Sequence, residues 1–253
     1  MITTYHRPKT MEEALALLTQ TNTLPLGGGT LLSKPTTDPL TGAVSVAVVD
    51  LQALGLDSLR VNGNELQIGA TCTLQSLLEA DSCPTALKTA LKLEAPLNIR
   101  NTATVAGTLV ASDGRSTFAA MLLAMDAKIE IRSSTLESRT SNIGEFILTR
   151  PSGLVTSITI PLNVKTAFEF VSKTPADKPI VCAALAQWNS RRTRLTLGGY
   201  GKSPLLAMDG TEADGLETAA RNAYHEANDE WASAEYRMDV AATLSKRALE
   251  SIK

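Results

Sequence analysis

The stretch Leu24-Pro25-Leu26-Gly27-Gly28-Gly29-Thr30 runs a short apolar segment straight into three glycines and a threonine. The apolar segment is a strand that delivers the backbone to a tight loop. Glycine reaches φ > 0 without a Cβ penalty and lets a ligand come close to the backbone. Successive N–H groups can then point at one oxyanion, with the Thr30 hydroxyl as a further donor. A plain tight turn fits the same residues. Upstream, Thr10-Met-Glu-Glu13 is a capping-box pattern that opens an amphipathic helix through about Gln20. Downstream, Gly42 precedes the β-branched run Ala43–Val49, a buried-strand type. The first fifty residues therefore read β-α-β, with the glycine loop at a strand's carboxyl end.

Further along, Leu66–Ala70 alternates like a strand, and 74–80 and 85–93 read as helices. Thr117–Met125 is a strongly apolar helix, Lys128–Arg132 a half-buried strand, and Leu154–Ile160 a strand stopped by Pro161. A domain boundary is expected between Pro161 and Lys165. Beyond it, Val181–Trp188 and Thr193–Leu197 form a hairpin about the polar turn Asn189–Arg192, and Gly198–Gly201 ends that sheet. Two helices, Glu212–Glu226 and Ser233–Glu250, complete the chain.

A length of 253 residues suits one large domain or two modest ones. Hydrophobic residues at 43% and charged residues at 20% support an ordinary core, while aromatics at 4% leave packing to Leu, Val, Ala and Ile. A net charge of −2 argues against nucleic acid or an anionic membrane as the main partner. Cys72, Cys83 and Cys182 form no CxxC, and histidine occurs only at His6 and His225, so a protein-held zinc or iron–sulfur site is not expected. Sparse, odd cysteines fit a reducing compartment. The N-terminus has no apolar signal core, and no apolar run is long enough to span a bilayer. The expected place is the cytoplasm, with the inner membrane face as a peripheral alternative.

A second small, hydroxyl-rich loop, Thr102-Ala-Thr-Val-Ala-Gly-Thr108, precedes Ser112-Asp-Gly-Arg-Ser116 and the apolar helix. Its backbone N–H and hydroxyl groups are candidate phosphate donors, and Asp113 or Ser116 candidate caps for the helix. A helix-capping turn is the alternative. Neither loop has GxGxxG spacing with a later acidic residue, and there is no GxxxxGK[ST].

In chain order, Tyr5-His-Arg-Pro8-Lys-Thr-Met-Glu-Glu13-Ala-Leu15, Gly28-Gly29-Thr30-Leu31, Ile99-Arg100-Asn101-Thr-Ala-Thr104-Val-Ala-Gly107-Thr108, Leu122–Ala127, Leu197-Gly-Gly199 and Ser233-Ala-Glu-Tyr-Arg237 can be read together. So ordered, they resemble the FAD-binding medium subunit of molybdenum hydroxylases. That family includes the flavoprotein subunits of bacterial carbon monoxide dehydrogenase and xanthine dehydrogenase. The resemblance covers nearly the whole chain. It implies an α+β protein. A two-subdomain, PCMH-like FAD-binding domain would span residues 1–161, with subdomains of about 1–54 and 55–161. A small antiparallel sheet with C-terminal helices would span 162–253.

The resemblance also implies FAD with its diphosphate on the two loops. The first loop then offers Gly27, Gly28, Gly29 and Thr30, flanked by Leu26 and Leu31. The second offers Thr104, Gly107 and Thr108, followed by Ala111 and Asp113, with Thr117 at the start of the apolar helix. Val155 corresponds to an apolar position beside the flavin ring, and Lys173 with Asp177 to a basic-x-x-x-Asp pattern near it. Departures from the pattern are Leu31 for an acidic residue, Ala106 for the first glycine of GGN and Thr108 for its asparagine. Asp113-Gly-Arg-Ser-Thr117 stands for SPxSD, so the proline and the cofactor-contacting aspartate are lost; the Thr108 and Thr117 hydroxyls and a displaced Asp113 carboxylate remain. The expected role is electron transfer within a complex with a large molybdopterin-binding subunit and a small 2Fe-2S subunit, arranged as a dimer of heterotrimers. The alternatives are a degenerate flavin-free structural subunit and a free-standing flavin oxidoreductase. Arg100-Asn101 reads as a loop anchor and Tyr236-Arg237 as a packing and salt-bridge pair.

Overall fold

The structure is a computed structural model that describes residues 2–31 and 46–253. The chain opens with strand β1 (Ile2–His6), helix α1 (Met11–Leu18), β2 (Thr23–Leu26) and β3 (Val46–Asp50). Both neighbours of β3 pair with it in parallel, in the order β1-β3-β2, so the expected β-α-β unit is present. The part of the strand expected at 43–45 lies outside the described residues. Thr10 caps α1 by accepting from Glu13 N at 3.2 Å. The Glu13 carboxylate reaches back one residue further than a capping box requires, to Lys9 N at 3.1 Å. The helix buries Ala14 and Leu15 against Val49, Leu51 and Leu154.

A second layer follows. Strands β4 (Leu59–Asn62) and β5 (Glu65–Gly69) form a hairpin, and three helices come next: α2 (Leu74–Glu79), α3 (Thr85–Glu94) and the single turn α4 (Leu97–Arg100). The chain continues through α5 (Val105–Val110), α6 (Thr117–Ala124), β6 (Lys128–Arg132), β7 (Ser138–Asn142), α7 (Ile143–Thr149) and β8 (Leu154–Pro161). The sheet has the order β4-β5-β8-β6-β7 and is antiparallel throughout. Helix α6 is buried at every position from Thr117 to Ala124. Its uniformly apolar sequence is explained by packing on several sides at once.

The rest is β9 (Val164–Val171), β10 (Val181–Trp188), β11 (Thr193–Gly198), β12 (Leu205–Gly210), α8 (Leu216–Ala223) and α9 (Ala234–Ser251). These strands form an antiparallel sheet in the order β12-β11-β10-β9. It is wider than the hairpin read from the sequence. The Gly198–Gly201 segment turns the chain into a further strand instead of ending the sheet. The helix expected over 212–226 is shortened to α8, which begins after the left-handed Gly215. One face of the sheet packs on α9 and α8 through Val181, Ala183, Leu185, Leu195 and Leu197. The other sends Cys182, Ala184 and Ala186 into the same core as α3 and α6.

Two buried ion clusters fix these layers. Arg194 is 5% exposed and lies 2.9 Å from Asp126, just beyond α6, and 3.0 Å from Asp209 on β12. Arg237 on α9 is fully buried. It donates to the carbonyls of Ile180 and, at 3.0 Å, Gly199, and pairs with Asp229 at 2.6 Å. Arg237 is thus the packing and salt-bridge residue the sequence suggested, while Tyr236 is largely exposed.

Candidate functional site

The site is built where the parallel and antiparallel layers meet. Strand β2 delivers Gly27–Thr30 to the same place as the Thr102–Thr104 segment that leads into α5. The two loops touch each other directly. A Cβ on Gly28 would lie 1.8 Å from the Thr102 carbonyl oxygen, and one on Gly27 would lie 2.7 Å from Thr104 Oγ1. Gly29 takes φ +69, a conformation that glycine adopts without strain. Two of these glycines are therefore required by the close approach of the second loop. Among the described residues, the N–H groups of Gly28 and Gly29 have no intramolecular acceptor.

The second segment is a helix start rather than an open loop. Thr104 is the N-cap of α5, and its Oγ1 accepts from Gly107 N at 3.2 Å. Val105 N donates to Cys72 O, Ala106 N to Ala70 O and Thr108 N to Thr104 O. The amides of Val105, Ala106, Gly107 and Thr108 are thus already engaged within the chain. What α5 offers instead is a small-residue wall and two hydroxyls, Thr104 and Thr108. The C-terminal end of α5 is held by Arg150. Its guanidinium donates to Leu109 O at 2.7 Å, Val110 O at 3.1 Å and Ser112 O at 2.8 Å. Burial lowers the Arg150 pKa from its ordinary value.

Between these elements lies a cleft of about 530 Å³. Its wall includes Gly27, Gly28, Gly29, Thr30 and Leu31 from the first loop, then Thr104, Gly107, Thr108, Ala111 and Asp113, and Val155 on β8. Three expected site residues stand elsewhere. Leu26 is not in the wall; its side chain packs beneath Gly29, within 3.2 Å of where a Cβ would be. Thr117 has no exposed surface, and its hydroxyl donates to Ala90 O at 2.7 Å, because α6 is buried from its first residue. Lys173 lies over the Trp231 ring at 4.9 Å, outside the wall, and Asp177 caps its own turn by accepting from Thr174 Oγ1 at 2.9 Å. Arg100 is the anchor the sequence suggested: it binds Gln75 at 2.9 Å and Ala95 O at 2.7 Å.

Sequence reasoning missed Glu94 and Lys178, which line the cleft together. Glu94 ends α3 and is buried. Its Oε2 accepts from Ser116 Oγ at 2.9 Å and Phe118 N at 3.0 Å, at the N-terminus of α6. Its Oε1 accepts from Lys178 Nζ at 3.0 Å. Asp113 is exposed and accepts from Arg115 N at 2.9 Å. This loop is clamped to the four-stranded sheet: Gly114 N donates to Gly201 O at 3.0 Å and Gly199 N to Gly114 O at 2.7 Å. A Cβ on Gly114 would lie 1.9 Å from Tyr200 O. Among the described residues, no group of three or more His, Cys, Asp or Glu could hold a metal ion.

Residues 1–163 match the family model described as the FAD binding domain in molybdopterin dehydrogenase. The chain belongs to that family. This FAD-binding domain thus occupies well over half the chain and contains the whole cleft wall except Lys178. Along its length the family member is 28% identical to the carbon monoxide dehydrogenase medium chain of Afipia carboxidovorans, over 98% of this chain and 96% of that one. It is 29% identical to "Uncharacterized protein YgfM" of Escherichia coli (strain K12), over 96% and 94% of the two chains. A structure of reconstituted CO dehydrogenase from Oligotropha carboxidovorans superposes with a TM-score of 0.83 at 25% identity, covering 98% of this chain and 96% of that one. The expected family, the α+β fold and FAD as the cofactor therefore stand.

The residues present fit that cofactor. A cradle that Cβ atoms would fill, free loop amides for a diphosphate and a mostly apolar cleft are features a dinucleotide requires. No helix among the described residues is long and apolar enough to cross a membrane.

Proposed function

We propose that this chain is the flavoprotein subunit of a molybdenum hydroxylase complex, passing electrons from iron–sulfur clusters through FAD to an external acceptor. The observation that carries the reading is the cleft itself, glycine-floored, lined by small and apolar side chains, and located where Gly27–Thr30 and Thr104–Thr108 meet. Bound FAD supplies the redox chemistry; the protein binds, orients and shields it. The amides of Gly28 and Gly29 and the Thr104 and Thr108 hydroxyls would hold the diphosphate. Val155, 5% exposed, and its neighbour Leu154 would exclude water from a ring face. Among the described wall residues there is no histidine beside a carboxylate, which fits a relay better than acid–base catalysis. We further propose a large molybdopterin-binding partner and a small 2Fe-2S partner, assembled as a dimer of heterotrimers, in the cytoplasm.

The engaged amides of α5 favour one competing reading, a flavin-free subunit that keeps the fold for assembly. The absorption spectrum of the purified chain decides. Flavin bands near 370 and 450 nm are the general signature of bound FAD, and a colourless protein that releases no flavin on denaturation and takes up none when FAD is added refutes the reading. Copurification followed by molybdenum, iron and flavin analysis tests the partners.

A further inference from the structure

Lys178 is the only basic side chain among the described residues that line the cleft; Glu94 and Asp113 are the acidic ones. Its partner is unusual. The Glu94 side chain is 7% exposed, whereas that of Lys178 is 40% exposed. The carboxylate is held from behind by Ser116 Oγ at 2.9 Å and Phe118 N at 3.0 Å. Its charge is therefore dispersed into the start of α6, away from the cleft. An ammonium has three donors, and Lys178 spends one, on Glu94 Oε1 at 3.0 Å. The backbone is fixed as well, since Arg115 donates to Lys178 O at 3.1 Å. The result is a positioned cation with N–H groups to spare, presented to a wall otherwise built of neutral or acidic groups.

Two parts of FAD are candidates to meet such a cation, the diphosphate and the ring that gains negative charge on reduction. The free amides at Gly28 and Gly29 already provide for the diphosphate from the loop after β2, whereas Glu94 ends α3 and Lys178 lies between β9 and β10. Resting on the FAD reading above, we infer that Lys178, positioned by Glu94, faces the flavin ring and stabilises its reduced form. Lys178 is then a tuning residue for the redox potential and contributes little to holding oxidised FAD.

The test is a flavin potential, measured by equilibration with reference dyes on the full chain loaded with FAD, together with the affinity for oxidised FAD by fluorescence quenching. Lys178→Met is expected to weaken binding of reduced relative to oxidised FAD about tenfold, a fall of about 30 mV in the two-electron potential. Affinity for oxidised FAD should stay within about threefold. Lys178→Arg, which keeps the charge, should restore most of the potential. Because Lys178→Met strands a buried carboxylate, the double variant Glu94→Gln/Lys178→Met serves where the single one does not fold; a fall in the same direction is expected, smaller because the negative partner is removed as well. An unchanged potential in a flavin-loaded variant overturns the inference. So does an equal loss of affinity for both redox forms, which marks a diphosphate partner. A wild-type chain that takes up no FAD overturns the cofactor reading and this inference with it.

Discussion

Replacing Gly28 with alanine tests whether contact between the two loops builds the site. The added Cβ would lie 1.8 Å from Thr102 O, 2.6 Å from Thr102 C and 3.1 Å from Ala103 Cα. All three are backbone atoms, so no side chain can rotate away. Reaching ordinary contact needs roughly 1.5 Å of extra separation. That shift must be taken either by the Gly27–Thr30 loop or by the segment that positions Thr104. Overpacking of this kind costs about 1–3 kcal/mol, which for a chain of this size lowers Tm by roughly 2–10 °C. The same shift displaces the Gly28 and Gly29 amides from the wall that faces them. Two misplaced hydrogen bonds of about 1–1.5 kcal/mol each predict a roughly 30- to 150-fold loss of FAD affinity. The assay pairs thermal denaturation with fluorescence titration of FAD. Gly63→Ala is the control: Gly63 has φ +57 in the β4–β5 hairpin, and nothing lies within 4 Å of its would-be Cβ. It should cost about 1–2 kcal/mol from its backbone alone and leave FAD affinity unchanged. If Gly28→Ala binds FAD as tightly as wild type, or loses no more than the Gly63 control, the claim that loop contact shapes the site is wrong.

Other outcomes follow from the same geometry. Arg150→Met removes the guanidinium bonds to Leu109 O, Val110 O and Ser112 O, leaving Leu109 O its bonds from Ser112, and should cost about 2–3 kcal/mol in urea denaturation; an unchanged midpoint refutes that role. Asp229→Ala leaves the fully buried Arg237 without its counter-ion and should cost about 3 kcal/mol or more. Burial opposes ionisation of Asp229, but bonds from Arg237, Trp231 N and Ala232 N outweigh it and lower its pKa. Its contribution to stability is therefore full above about pH 4 and lost as the pH falls through the lowered value, so an acid unfolding curve should lose that component in the variant. Burial pushes the Cys72 thiol up to about 11 and those of Cys83 and Cys182 up to about 12. None of the three should react with a thiol reagent at pH 8 until the protein is unfolded; rapid labelling of the native chain contradicts the packing.

The long periodic segments were legible from the sequence because burial on one side or on all sides leaves a pattern. Helices α1 and α9 and strand β6 carry such patterns, and α6 carries an unbroken apolar run. Strand β7, Ser138-Arg-Thr-Ser-Asn142, is a polar edge strand with only Ser141 buried, so nothing in its sequence marks it. Strand β9 starts within three residues of Pro161, where the sequence reads as a boundary. Helix α5 is six residues long with a glycine inside. Its formation depends on the Thr104 cap and on Arg150, which is 41 residues away from Leu109. Glu94 and Lys178 were invisible for the same reason. They are 84 residues apart, and each alone reads as a solvated surface charge.

The candidate site carries a sharper version of that lesson. Both Gly/Thr stretches read as donors to a phosphate, and the physics of a small-residue loop supports that reading equally for both. Hydrogen-bond accounting separates them. Buried backbone N–H groups find partners, and for Val105, Ala106, Gly107 and Thr108 the partners are Cys72 O, Ala70 O and Thr104 itself. Glycine at 107 therefore does not indicate access to the ligand: its would-be Cβ lies 2.9 Å from Thr104 Oγ1, so it fits the cap. Glycine at 28 serves the packing of one loop on the other while its amide stays available. The first loop supplies directional donors, and the second supplies a wall, two hydroxyls and the fixed surface against which the first is shaped. Substitutions in α5 that respect the Thr104 cap should therefore change FAD affinity less than substitutions at Gly28 do, even where they are chemically larger. Thr108→Val, which removes one hydroxyl at nearly constant volume, should cost no more than about tenfold. A greater loss than Gly28→Ala causes would return the second loop to the role its sequence first suggested.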